Sequence, residues 1–133
     1  MARPERPIDP LARRSRSIDV ELARAARREI AVIEIVDLLA DGGDAMRGLA
    51  DKVAAVRREA PEGSVVAGLL VLRATARNRR TLRDMPDLFA ARFPASSVGW
   101  LAALSDPARP MPTADGLAWT DARGERLRAA RIR

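Results

Sequence analysis

Ser64-Val65-Val66-Ala67-Gly68-Leu69-Leu70-Val71-Leu72-Arg73 is the stretch on which the fold turns. Ser64 is a good N-cap residue, and the run behind it predicts a helix reaching Thr81 to Arg83. On a helical wheel Val65, Leu69, Leu72 and Ala76 share one face. Arg73, Arg77 and Arg80 line another, at spacings of four and three.

Working outward, Pro61-Glu62-Gly63 reads as a turn, preceded by a helix that Asp44 caps and that runs to about Ala60. Upstream, Ser17 caps a further helix, with Asp19 and Glu21 in its first turn and Gly42-Gly43 as its stop. Its second half, Ile30 to Asp41, is apolar except for Glu34, Asp37 and Asp41, which form a narrow acidic stripe. Downstream, Asp84-Met85-Pro86-Asp87 opens a short helix carrying Phe89 and ending near Phe93, and Pro94 opens another through Leu104. Pro107, Pro110 and Pro112 mark a linker, and Thr120 to Ile132 is a basic stretch with weak helical character. With no period-two alternation recognised, the predicted class is all-α: a small helical bundle of three main helices plus two short C-terminal helices, with flexible basic ends. The expected organisation is a disordered basic arm over 1–16, a helical bundle domain over 17–105, and a proline-containing linker and basic tail over 106–133.

Composition narrows the chemistry. The chain of 133 residues is 47% hydrophobic and 32% charged, as expected of an ordinary globular domain. Of its 24 basic residues only Lys52 is a lysine, and there is no His, Cys or Tyr. Imidazole and thiolate metal sites, Ser-His and Cys-His nucleophiles, disulfides and tyrosyl acids are therefore excluded. Glu34, Asp37 and Asp41 could in principle hold Mg²⁺ or act as an acid–base pair, but ion pairing between helices suits them better. The expectation is a protein that is not an enzyme, with no catalytic residue, cofactor, metal or small-molecule substrate. No apolar segment follows the first residues, and no uncharged run approaches the ~20 residues that span a bilayer. A cytoplasmic protein without membrane contact is expected.

The net charge of +6 points to partners. Arg73, Arg77, Arg79, Arg80 and Arg83 form a dense basic segment that contacts either a protein partner or phosphate. Glu34, Asp37 and Asp41 match Arg73, Arg77 and Arg80 in length and sign, and an antiparallel register between two copies pairs all six. Phe89, Phe93 and Trp100 read as an apolar cap on the bundle, and Trp119, beyond the prolines, as a docking anchor. The leading expectation is a non-enzymatic helical protein–protein interaction module or a subunit of a larger assembly, with another protein or a second copy as partner (homo-oligomer). The alternative is a small basic nucleic-acid-binding protein that contacts backbone phosphates.

Overall fold

Val65 to Leu72 is a strand, and the all-α expectation is overturned with it. The computed structural model describes residues 2–4, 17–37, 39, 42–121 and 123–132. It is an α/β protein built on a mixed sheet. Five strands, β2 (Ser17–Arg24), β3 (Glu29–Val36), β4 (Val65–Arg73), β5 (Gly116–Thr120) and β6 (Leu127–Ala129), are joined at the β2 edge by the three-residue β1 (Ala2–Pro4). The order in space is the order in sequence, β1 to β6. β3, β4 and β5 run parallel, and the outer pairings are antiparallel.

β4 is buried at every position from Val66 to Leu72. A strand paired on both edges and covered on both faces needs apolar side chains throughout, so it carries no alternation to distinguish it from a buried helix. What favours the strand is local: β-branched Val65, Val66 and Val71, and a glycine in the middle. A Cβ at Gly68 would stand 2.8 Å from Cγ2 of Val53 and 3.0 Å from Cδ1 of Leu49. The missing side chain lets the covering helix settle onto the strand.

The helix predicted from Ser17 to Asp41 is instead the β2–β3 hairpin. Its eight-residue register runs from Ser17 opposite Val36 to Arg24 opposite Glu29. Ala25–Arg27 form a 3-10 turn, closed by Arg28 in the left-handed region at φ 53°. Ala-Ala-Arg-Arg is good helix sequence used in a turn, which is why local propensity misleads there. Of the expected N-terminal arm, Ala2–Pro4 pair with β2 as β1, and residues 5–16 lie outside the described residues.

Several expected helices do form. α1 (Gly42–Glu59) connects β3 to β4, and α2 (Ala76–Asp84), the part that forms of the helix expected from Ser64, connects β4 to β5 together with α3 (Pro86–Arg92) and α4 (Ser97–Ser105). Thr75 caps α2 and Ser96 caps α4, each accepting a backbone N–H three residues on, and Pro86 opens α3. The weakly helical tail expected from Thr120 onward is a β-hairpin. Gly124 (φ +72°) helps turn it, and the Asp121 carboxylate accepts the Glu125 amide at 2.8 Å. That bond and neighbouring backbone donors hold the Asp121 carboxyl below its ordinary range.

Two cores result, one on each face of the sheet. On the first, Met46, Leu49, Val53 and Val56 of α1, Leu82 of α2, and Phe89 and Phe93 pack on Val32, Val36, Val66, Leu70, Leu72 and Leu117. On the second, Trp100 of α4 and Met111 cover Ala31, Ala67, Leu69, Val71 and Ala118. The aromatic residues expected to cap one bundle thus serve opposite faces. The proline-bearing segment is fastened to the sheet rather than trailing from it. Met111 N–H donates to Glu29 Oε2 at 2.9 Å, Asp115 Oδ1 accepts the Gly68 amide at 2.7 Å, and Ala114 O accepts Trp100 Nε1–H at 3.1 Å.

Small residues make the bed for Trp100. A Cβ at Gly116 would overlap its Cδ1 and stand 2.6 Å from its Nε1. Gly116→Ala is therefore expected to lower stability by about 1–3 kcal/mol through overpacking. Gly99→Ala, on α4 with only ordinary contacts around it, should raise stability by about 0.5–1 kcal/mol. Urea midpoints of the two variants, moving in opposite directions, check this.

Candidate nucleic-acid interface

α2 begins where β4 ends, at the carboxyl edge of the parallel strands, and one buried side chain fixes it there. Asn78 is fully buried. Its Oδ1 accepts the Leu39 amide at 2.8 Å, and its Nδ2 donates to Asp37 O at 3.0 Å and Arg73 O at 2.9 Å. Three bonds from one amide tie the end of β3, the end of β4 and the first turn of α2 together. Thr75 Oγ1 accepts the Asn78 amide at 3.1 Å. Leu82, one turn on, inserts into the core from the same side of the helix.

With Asn78 and Leu82 turned inward, the remaining positions must face solvent. Arg77, Arg79, Arg80 and Arg83 are all exposed. At 3.6 residues per turn they spread over an arc of roughly 160°. None of the four forms an ion pair with a described carboxylate; the one acid on the same helix is Asp84 at its last position. Arg77 and Arg79 also stand near the helix N-terminus, where the dipole disfavours cations. Helix stability does not account for this placement.

The expected pairing of charge stripes is not what forms. Glu34 points from β3 toward α1, is buried, and bonds Lys52 Nζ at 2.8 Å. The chain's one lysine thus neutralises this buried carboxylate. Gly48, one turn before Lys52, also borders Glu34, and a Cβ there would stand in ordinary contact with its carboxylate, 3.8 Å from Oε2. Removing one partner of such a buried pair costs about 3–5 kcal/mol, so Glu34 is committed to the core. Asp37 pairs with Arg73 at 2.9 Å across the adjacent ends of β3 and β4, in a half-exposed setting worth at most ~1 kcal/mol. Asp41 lies outside the described residues. Arg77 and Arg80 therefore meet neither Glu34 nor Asp37, and the one stripe pair that forms lies within a single chain. Trp119, expected as an anchor, is in β5, partly buried against the core beneath α1 to α3.

Sequence reading missed Asn78 and Lys52. Asn78 sits inside an arginine run and looks like surface, and only the helical spacing of four to Leu82 could have marked it as inward. Lys52 carried a compositional signal, as the sole lysine among so many arginines. Among the described residues no group of three or more carboxylates is placed to hold a metal ion, and no helix is long and apolar enough to cross a membrane. Comparison with known protein families, curated proteins and solved structures returns no match.

Asn78→Asp replaces the donor facing two carbonyls with an acceptor and adds charge in a buried site. We expect a loss of about 3 kcal/mol or more, read as a lower urea midpoint at unchanged slope. A change below about 0.5 kcal/mol would show that the amide does not hold α2 in place.

Proposed function

We propose that this chain is a non-enzymatic nucleic-acid-binding protein that grips backbone phosphates through the exposed face of α2. The observation that carries the reading is the arc of Arg77, Arg79, Arg80 and Arg83, exposed and without a described carboxylate partner, on a helix whose orientation Asn78 fixes. A guanidinium offers a planar fork that binds two phosphate oxygens at once, and four of them on one short helix give a local field that favours polyanions. Base reading is not part of the proposal. The second residue of α2 that a recognition helix would point at a groove is followed at once by Asn78, whose amide is used up inside the fold.

One of the features behind the protein-interaction reading, the matched charge stripes, has its described carboxylates engaged within the chain. Glu34 is held by Lys52 and Asp37 by Arg73. Arginines freed from that pairing favour phosphate.

Fluorescence anisotropy with a labelled 20-base-pair duplex tests the proposal. Affinity should fall linearly on a log–log plot against salt, with a slope near −0.9 for each phosphate engaged. Arg77→Glu with Arg80→Glu should weaken binding by about 10- to 100-fold and flatten the slope by ~2, with the urea midpoint unmoved because both side chains are exposed. Binding that ignores salt, or a double variant that binds like the parent, would overturn it.

A further inference from the structure

We infer that the nucleic acid taken by this surface is a duplex, and that Arg126 and Arg128 on the β6 side supply a second row of phosphate contacts. The inference rests on the phosphate-binding reading of α2 and extends it to a ligand class.

The first support is what the surface lacks. Single-strand binders stack bases on exposed aromatic rings. Here Phe89, Phe93 and Trp100 are buried, Trp119 packs partly against the core, and the chain has no Tyr or His. Every aromatic ring the protein owns is engaged in holding the fold. A single strand would meet arginines but no stacking platform, whereas a duplex, with its bases already stacked inside, asks for none.

The second support is the placement of a second basic element. Arg128 is exposed on β6, directly opposite Trp119 in the β5–β6 ladder. Cross-strand partners project to the same face of a sheet. Trp119 lies against the core beneath α1 to α3, and so does Ala130, two residues beyond Arg128. Arg128, and by the same alternation Arg126, therefore belong to the sheet face that carries α2. The Ala74 amide just before α2 donates at 2.8 Å to Thr120 O, at the end of β5, the strand that pairs with β6.

Spacing then selects the ligand. β6 stands two strands from β4, the strand that leads into α2. At ~4.8 Å per strand that is on the order of 10 Å, comparable to the ~12 Å width of a B-form major groove. Strands at that spacing put the base of α2 and Arg128 within reach of phosphates on both strands of a duplex. The phosphates of a single strand make one row and would leave the other unused. β6 is also an outer strand of the described sheet, and Arg128 guards that edge against pairing with another strand, so its side chain stays accessible.

The test compares a 20-base-pair DNA duplex, an RNA duplex of equal length and a single strand, each titrated against the wild-type chain, Arg128→Glu, Arg128→Gln and Arg80→Glu. The duplexes should bind about tenfold or more tighter than the single strand, and Arg128→Gln should flatten the duplex salt slope by about one while leaving the single-strand slope alone. Arg128→Glu should weaken duplex binding further. If Arg80→Glu weakens binding and neither Arg128 variant does, the second row is refuted while the α2 reading stands. If the single strand binds as tightly as either duplex, the duplex assignment is overturned. If no nucleic acid binds in a salt-dependent way, the underlying phosphate reading fails as well. A urea midpoint for each variant, expected at the wild-type value, shows that the fold is intact.

Discussion

The parallel pairing of β3 with β4 is the constraint from which the rest of the structure follows. Eight residue pairs, Glu29 with Val65 through Val36 with Leu72, form the ladder. Parallel neighbours cannot be joined by a tight turn, so the chain must cross over, and α1 is that crossover. Covering one face of a parallel pair leaves the other bare. The connection from β4 to β5 resolves this by sending α2 and α3 to the face of α1 and α4 to the opposite face. The two cores, and the location of the arginine helix at the carboxyl edge, are consequences of how that central pair is buried.

Polar groups within the sheet region are placed where the apolar layers would otherwise leave backbone or charge unsatisfied. Asp115 accepts the Gly68 amide at the point where β5 has not yet begun, since the β4–β5 ladder starts at Leu69. Glu29 takes the Met111 amide and anchors the proline-bearing segment. Asn78 closes the other end of the strands. Unmade hydrogen bonds at such sites cost about 1–3 kcal/mol each, so these three side chains help fix where the connecting segments meet the sheet. Asn78 links this to binding: the same amide that satisfies β3 and β4 turns the arginines of α2 outward.

How much of this was legible in the sequence depends on the element. α1, α3 and α4 carried caps, a first-turn proline and helical spacing, and they appear close to where those signals put them. β4 was illegible by periodicity, because burial on both faces removes the contrast that periodicity measures. β2 was legible. Ile18-Asp19-Val20-Glu21-Leu22 alternates in the strand period. The helix-forming Ala25-Ala26-Arg27-Arg28 beside it joined β2 and β3 into one apparent helix. In the site, the arginine run was visible from composition alone. That Arg77, Arg79, Arg80 and Arg83 meet no carboxylate among the described residues was not, because Glu34 meets Lys52 only once α1 lies across β3.

Amide hydrogen exchange resolved by residue measures the central constraint most directly. If β4 is paired on both edges and covered on both faces, the amides of Val66 to Leu72 should open only with global unfolding, at an exchange free energy equal to that from urea. Exchange of this segment within minutes, while α1 remains protected, would contradict a buried central strand and the two-core architecture built on it.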